Sequence, residues 1–341
     1  MDAYGLQRVV GETGVLPQRA RKLDPSLPLR EGEVLIDVES LNIDAASFKQ
    51  LKDAHGGDPA KITEAILQIV AERGKMQNPV TGSGGMLIGR VREVSPRHPD
   101  FGRLKPNDRI ATLVSLTLTP LRIAKVKGIR AEIDRVDLEG QAILFASGIY
   151  ARLPDDLPDT LSLAALDVAG APALVARYVK PKMTVAMLGA GKSGALCLAQ
   201  ARRNLQGTGK LIALDISARA LETLKGLGLC DETIPVDATR AVEVMDKVSA
   251  ATGGAMVDLV VNVASVPNTE MASILSVKQG GTVILFSMAT SFTSAALGAE
   301  GVGKDVTMII GNGYVPGHAE LTLQLLRSEP KLRKLFEERY V

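Results

Sequence analysis

Three glycines at a fixed spacing, in the second half of the chain, give the clearest indication of chemistry in this sequence. They form the pattern G-x-G-x-x-G directly after the apolar run VAML, and an amphipathic helical pattern follows them. Glycines at such a strand-to-helix turn let the backbone approach a pyrophosphate, and the free N–H groups of the helix N-terminus favour its charge. We therefore predict a dinucleotide-binding loop. Its residues are Gly189, Gly191, Lys192, Ser193 and Gly194.

An acidic residue at the end of the next apolar segment strengthens this prediction. Asp215 closes the segment KLIALD, about 20 residues after the glycines, where an acid binds the ribose hydroxyls of a dinucleotide. A carboxylate there repels the 2′-phosphate of NADP, so we expect NAD as the cofactor. Because Arg219 is nearby, NADP remains the less favoured alternative. Asp215 also has a purely structural alternative role, as a cap for the helix near Ser217. Ser287, after a later predicted strand, is a further candidate cofactor contact.

The overall composition is that of an ordinary globular chain and excludes several classes of protein. Of 341 residues, 46% are hydrophobic and 23% charged, and the net charge is +2. This balance gives no basis for binding nucleic acid or a membrane surface, and 3% aromatic residues are too few for a base-stacking surface. No apolar run reaches the ~18 residues of a membrane span, and the first residues lack an apolar signal core, so we expect a cytoplasmic protein.

Alternating strand and helix patterns in the second half of the chain predict the element that positions the glycine loop. We expect strands at 184–188, 210–215, 232–236, 257–262 and 282–286, with helices at 192–205, 217–227, 239–251 and 268–277. Near-continuous apolar strands separated by helices indicate an α/β fold with a doubly wound parallel Rossmann sheet. Ligands of such sheets bind outside the carboxyl ends of the strands, so we expect the active site in a cleft between two domains.

The chain before the Rossmann pattern is rich in β patterns and is expected to form a separate domain. We predict domains at 1–155 (β-rich) and 156–295 (Rossmann), followed by a segment, 296–341, that returns to the first domain. Further expected elements are strands at 33–39, 86–94 and 116–123, and helices within 53–75, at 163–175 and at 317–336, with loops from about 290. The strand at 281–286 is expected at the sheet edge, where it would pair in a homodimer or homotetramer.

This domain order resembles the medium-chain dehydrogenase/reductase superfamily, whose N-terminal domain is GroES-like. The segments 41–47, 81–94 and 105–110 resemble the first catalytic motif, the glycine-rich turn and strand, and the Gly-Asp-Arg-Val turn of that domain. Zinc-dependent members place Cys and Gly-His-Glu where this chain has Asp44 and Gly82-Ser83-Gly84. Only Cys197 and Cys230 occur, without metal-type spacing, so we expect no metal.

Several long strings also resemble the L-erythro-3,5-diaminohexanoate dehydrogenase family of lysine fermentation. They are KMQNPVTGSGGMLIG (75–89), IATLVSLTLTPLRI (110–123), SLAALDVAGAPA (162–173), VPNTEMASIL (266–275), FSMATSFTSAALGAEGVGKDV (286–306), GNGY (311–314) and the final YV. The resemblance implies a diamino acid substrate. Its C3 would give a hydride to NAD, and hydrolysis of the imine would yield 5-amino-3-oxohexanoate and ammonia.

Without zinc, side chains must remove the proton from the C3 ammonium and hold the substrate. Asp44 and Asp167 are candidate bases or ammonium anchors, and Ser83 is a candidate catalytic hydroxyl. Asp44 has a turn-forming alternative. Asp167, in an apolar predicted helix, has a salt bridge at the domain interface as its alternative. Candidate substrate-binding residues are Lys75, Asn78, Thr119, Arg122, Glu270 and Lys304.

Two other functions remain open from the sequence. The first is a zinc-free NAD(P)H-dependent quinone or enoyl reductase of the same superfamily, against which Asp215 argues. The second is a non-catalytic dinucleotide-binding sensor, which would need an output module that the chain has no room for.

Overall fold

The computed structural model describes residues 2–311 and 313–340, so Asn312 of the GNGY string and Val341 of the YV string lie outside the described residues. The chain divides into two compact units, residues 1–155 and 156–341. The predicted subdivision at residue 295, and the return of 296–341 to the first domain, stay predictions.

The first unit is built on one six-stranded antiparallel sheet. Its strands are β1 (Glu33–Ile43), β2 (Gly85–Val94), β3 (Arg109–Thr112), β4 (Leu121–Arg130), β5 (Arg135–Phe145) and β6 (Tyr150–Arg152), in the order β4-β5-β1-β2-β3-β6. Two helices, α1 (Ala45–Ala54) and α2 (Pro59–Arg73), follow β1. The apolar face of α2 buries Ile62, Ile66 and Val70 in the core of this unit, since these residues recur at helical spacing.

Two features of the first unit differ from the sequence prediction. Helix α1 was not predicted, because it is short and only two of its three buried residues, Phe48 and Leu51, are apolar. The predicted strand at 116–123 is wrong in its first half, where Leu116–Leu118 forms a 3₁₀ turn. The turn forms because the Ser115 hydroxyl accepts a hydrogen bond from the Thr117 N–H, and the Thr119 hydroxyl donates to the Ser115 carbonyl.

The second unit begins with two helices and continues as a parallel α/β sheet. Helices α3 (Asp159–Leu166) and α4 (Gly170–Tyr178) precede strands β7 (Thr184–Leu188), β8 (Lys210–Asp215), β9 (Glu232–Pro235), β10 (Val257–Asn262), β11 (Val277–Leu285) and β12 (Thr307–Ile310). The connecting helices are α5 (Lys192–Leu205), α6 (Ala218–Gly226), α7 (Ala241–Ala251), α8 (Glu270–Ser276) and α9 (Phe292–Gly301). The strand order is β12-β11-β10-β7-β8-β9 and every pair is parallel.

This strand order is that of a Rossmann fold, as the sequence predicts. The order reverses between β7 and β10, and the glycine loop follows β7 at this switch point, where dinucleotides bind. After α9 and β12, the described chain ends with helices α10 (His318–Ser328) and α11 (Pro330–Tyr340). Both helices contact α3 and α5, within the second unit.

Four predictions for the second unit are wrong. The helix expected at 163–175 is two helices, α3 and α4, that meet at 53°. The loops expected after 290 include α9 and β12, so the strand at 281–286 is internal, between β10 and β12, and β12 forms that sheet edge. The single helix expected at 317–336 is divided at Pro330, which lacks the N–H that a continuous helix would need.

Within residues 2–311 and 313–340, no single helix has both the length and the apolar character needed to cross a membrane. The bent pair formed by α3 and α4 meets those criteria jointly, by length and composition only.

Candidate active site

Two of the three motif glycines are required by the fold itself. Gly189 has φ of 109°, a left-handed conformation that a side chain would strain, and its N–H donates to the Leu214 carbonyl at 2.8 Å. A Cβ on Gly194 would lie 2.0 Å from the Gly189 carbonyl oxygen, closer than any real contact. These residues therefore fix the sharp turn from β7 into α5.

The third glycine, Gly191, faces open space. Its φ of −79° suits any residue, and a Cβ there would meet no protein atom within 4 Å. No packing contact in the described chain explains why the position is glycine. The opening lies at the N-terminus of the 14-residue helix α5, where unpaired N–H groups and the helix dipole attract phosphate. The loop therefore fits the pyrophosphate of a dinucleotide.

Asp215 ends β8 beside the same loop. Its Oδ2 accepts a hydrogen bond from the Ala190 N–H at 2.7 Å, and its Oδ1 accepts one from the Ser217 N–H at 2.8 Å. The two bonds hold the carboxylate at the carboxyl end of the strand, where the ribose of a dinucleotide binds. Arg219 is exposed near the start of α6, and Ser287 follows β11, its hydroxyl accepting from the Ala289 N–H.

The side chain of Lys192 forms an ion pair above the glycine loop. Its Nζ lies 2.6 Å from Oδ2 of Asp167. The expectation that Asp167 is buried within a helix is wrong, because Asp167 ends α3 at the break before α4 and its side chain is 56% exposed. Asp167 thus forms a salt bridge with a residue of the cofactor loop, and both partners belong to the second unit. Its predicted roles as base or ammonium anchor, and its alternative as a salt bridge at a domain interface, stay predictions.

In the first unit, the Asp44 side chain has two hydrogen-bond partners. It is the N-cap of α1, and its Oδ1 accepts a hydrogen bond from the Ser47 N–H at 3.0 Å. Its Oδ2 accepts a hydrogen bond from the Ser83 hydroxyl at 2.7 Å. Both side chains are half-buried. The structure thus brings together two predicted catalytic residues that are 39 positions apart.

Asn78 organises the loop that carries Ser83. Its buried side chain accepts a hydrogen bond from the Val80 N–H at 2.8 Å and donates one to Gln50 at 2.7 Å, while its carbonyl accepts from the Gly82 N–H. These bonds leave its side chain engaged within the loop, so the contacts favour a structural role. Its predicted contact with substrate stays a prediction.

Asp134 is a carboxylate near Asp44 that no sequence motif predicts as a site residue. It lies in the turn between β4 and β5, and its carbonyl accepts a hydrogen bond from the Ile43 N–H at 3.0 Å. Burial raises the pKa of the Asp134 carboxyl; the nearby Lys52 lowers it and the Asp44 carboxylate raises it further. Asp44 and Asp134 therefore form an acidic pair, which suits an ammonium group.

The other predicted substrate-binding side chains have partners within their own unit. The following groups are involved: Lys75 Nζ donates to the Pro17 and Gln18 carbonyls, Thr119 to the Ser115 carbonyl, Arg122 to the Gln141 side chain and Lys304 to the Leu275 carbonyl, whereas Glu270 accepts from the Ser291 N–H. Only Arg122 among them is exposed. Their roles in binding substrate stay predictions.

We expect Lys75 to make stability depend on pH. Burial, together with the neighbouring Arg73, lowers the pKa of Lys75 to about 8, below its ordinary value of 10.5. Between these values the unfolded chain binds the proton and the folded chain does not, so the free energy of unfolding should rise with pH by about 3 kcal/mol. Urea unfolding at about pH 7 and about pH 10.5 should show this rise in the wild type but not in Lys75→Met.

The exposed residue Lys61, on α2, gives the matched control. Lys61→Met should keep the full rise of the wild type. An equal rise in Lys75→Met would show that another group causes the pH dependence.

Among residues 2–311 and 313–340, no group of three His, Cys, Asp or Glu side chains is arranged to hold a metal ion. Two of the three histidines, His98 and His318, are buried.

Comparison with known proteins identifies the family of this chain. Residues 7–154 match the model of the L-erythro-3,5-diaminohexanoate dehydrogenase N-terminal domain. The enzymes of that name from Acetoanaerobium sticklandii and Fusobacterium nucleatum subsp. nucleatum are each 52% identical over 339 residues, covering 99% of this chain and 98% of theirs.

A solved structure shows the same fold at lower identity. An alcohol dehydrogenase from Thermotoga maritima superposes with a TM-score of 0.55 at 18% identity, over 92% of this chain and 88% of its own. The medium-chain dehydrogenase/reductase architecture predicted from the sequence is thus confirmed, and its Rossmann unit takes a nicotinamide dinucleotide. The chain belongs to the L-erythro-3,5-diaminohexanoate dehydrogenase family of oxidoreductases.

Proposed function

We propose that this chain catalyses the NAD-dependent oxidative deamination of L-erythro-3,5-diaminohexanoate. The substrate, NAD⁺ and water give 5-amino-3-oxohexanoate, NADH, ammonium and one proton. The family membership supports the substrate, and the glycine loop with Asp215 supports the cofactor. The observation that carries the chemistry is the 2.7 Å hydrogen bond from Ser83 to Asp44, which couples a hydroxyl to a carboxylate.

Asp44 is the proposed general base. Bound NAD⁺ would accept the hydride from C3 of the substrate. The amine must lose a proton before the hydride can leave, because only the neutral amine can push electrons toward C3. Oδ2 of Asp44 can take that proton through Ser83, whose hydroxyl donates to the carboxylate and accepts from the substrate. Water then attacks the imine, and the C3–N bond breaks to release ammonia.

The distal ammonium of the substrate also needs a partner. Asp134 offers a half-buried carboxylate near Asp44, and the positive charge of Lys52 lowers the pKa of that carboxyl. An ammonium at this point would stabilise both carboxylates as anions, since an opposite charge favours the ionised form. Arg122, exposed on β4, remains the proposed partner of the substrate carboxylate, because a guanidinium can bind a carboxylate through two bonds.

The reaction is tested by following NADH absorbance with the purified protein and 3,5-diaminohexanoate. We expect NADH and ammonia to appear in equal amounts. NADH without ammonia would contradict deamination. Turnover of an enoyl or quinone substrate with NADPH, but not of the diamino acid, would favour the reductase alternative, and binding without turnover would favour the sensor.

Asp215 should make the protein prefer NAD over NADP. Its carboxylate would face the 2′-phosphate of NADP, and a repulsion of about 1.4 kcal/mol corresponds to about tenfold in affinity. Asp215→Asn removes the charge but keeps an acceptor for one backbone N–H, so NADP should bind roughly tenfold more tightly. Thermal shift with each dinucleotide measures this, since a ligand that binds the folded chain raises its stability.

Asp231→Asn is the matched control for this change. Asp231 also accepts a backbone hydrogen bond, from the Leu211 N–H near the start of β8, at the other end of the strand. Its replacement should leave the relative affinities for NAD and NADP unchanged. If both dinucleotides raise the unfolding temperature of the wild type equally, Asp215 does not determine a preference between them.

A homodimer or homotetramer and a cytoplasmic location complete the proposal. β12 supports the first, because this short strand ends the parallel sheet and its Ile310 side chain is 60% exposed. Open edges of this kind pair readily with another chain.

A further inference from the structure

One cluster at the glycine loop has no role in the chemistry proposed above. The Lys192 ammonium lies 2.6 Å from the Asp167 carboxylate and 5.8 Å from the centre of the Tyr340 ring. Tyr340 ends helix α11, and its ring lies edge-on to Phe336, which is fully buried. The last described turn of the chain is thus anchored in the core and contacts a residue of the cofactor loop.

The position of Lys192 would be unfavourable without these two partners. Lys192 is the first residue of α5, where the positive end of the helix dipole repels a cation. The carboxylate of Asp167 and the face of the Tyr340 ring both attract an ammonium. An ammonium has three N–H donors, so the bond to Asp167 leaves donors free for a ligand. The cluster therefore fixes the ammonium of Lys192, the residue that directly follows Gly191 and begins α5.

We propose that Tyr340, together with Asp167, is a positioning residue that holds the Lys192 ammonium for the pyrophosphate of the dinucleotide. The last turn of α11 is thereby part of the cofactor site. This inference rests on the proposed binding of a dinucleotide and adds residues that the G-x-G-x-x-G pattern does not include. A lysine at that point acts as a point charge on phosphate.

The test measures the Kd of NADH by its fluorescence, with no diamino acid present. Lys192→Met should raise the Kd about tenfold, the effect of losing a charged hydrogen bond. Tyr340→Leu should raise it roughly threefold, the effect of a partly exposed cation–π contact, and Tyr340→Phe, which keeps the ring, should bind like wild type. In Lys192→Met, adding Tyr340→Leu should change nothing, because Tyr340 acts through the ammonium.

Lys334→Ala is the control, since Lys334 is an exposed lysine on the same helix. It should bind NADH like wild type. With saturating diamino acid, Tyr340→Leu should raise the KM for NAD and leave kcat unchanged. An unchanged Kd in Tyr340→Leu, an equal loss in Tyr340→Phe, or a further loss in the Lys192→Met background would each overturn the inference. A wild type that binds NADH but does not turn over the diamino acid would refute only the proposed reaction.

Discussion

Asp44→Asn is expected to lower kcat for 3,5-diaminohexanoate by roughly 10²- to 10⁴-fold, the range a general base contributes. An amide cannot accept the proton of the C3 ammonium. It can still accept the Ser47 N–H through its oxygen, and Asn caps helices about as well as Asp, so α1 should stay folded. The loss should therefore appear in kcat, with the Kd of NADH unchanged.

Steady-state kinetics and NADH titration, with Asp58→Asn in parallel, measure this effect. Asp58 is the N-cap of α2 and accepts from the Ala60 N–H, so the control makes the same change at the same kind of position. Asp58→Asn should keep wild-type kcat. Ser83→Ala should lose part of the activity, because Oδ2 of Asp44 loses its hydroxyl partner. If Asp44→Asn changes KM alone, Asp44 anchors an ammonium and is not the base.

Gly191→Val is expected to lose affinity for NAD, whereas Gly194→Val is expected to lose stability. At Gly191 a side chain meets open space in the protein, so the variant should fold normally. It should lose NAD affinity on the order of a hundredfold, or about 3 kcal/mol, because the side chain occupies the approach of the pyrophosphate. At Gly194 the Cβ would lie 2.0 Å from a backbone oxygen, so that variant should lose several kcal/mol of stability, about 4 or more.

Thermal unfolding and NADH titration of both variants separate the two effects. Gly207→Val is the matched control for NADH affinity. Gly207 lies beyond the other end of α5, and a Cβ there would also meet open space. Its left-handed φ of 77° should cost some stability, but its Kd for NADH should equal that of the wild type. A Gly191→Val variant that binds NADH normally would show that the pyrophosphate does not lie over this glycine.

The sequence predicts the Rossmann elements accurately where their signals are local. The strands at 184–188 and 257–262 and the helix at 192–205 match the structure residue for residue. Each of these is marked by an apolar run or a helical period bounded by glycines or polar residues. The break between α3 and α4 is harder to predict, because small and apolar residues flank Asp167 as they would in one helix, although Gly170 and Pro172 mark the start of α4.

The site is predictable only to the extent that its residues belong to local motifs. Asp44 and Ser83 follow from the resemblance to catalytic motifs, and the glycines follow from their spacing. Sheet pairing brings Asp134 near Asp44 in the first unit, and helix packing brings Tyr340 near Lys192 in the second. The bond from Ile43 to Asp134 and the contact from Tyr340 to Lys192 join distant segments, which no local pattern in one sequence reveals.

The two oxygens of Asp44 have separate partners, and this has a consequence for the resting and working forms of the enzyme. Oδ1 caps α1 through Ser47, whereas Oδ2 faces Ser83. In the proposed mechanism, a proton that passes through Ser83 would bind to Oδ2, so the capping bond through Oδ1, worth about 1 kcal/mol, would be kept. The N-terminus of α1 would therefore stay capped throughout the proposed catalytic cycle. Asp44 would keep the same position before and after it releases a proton.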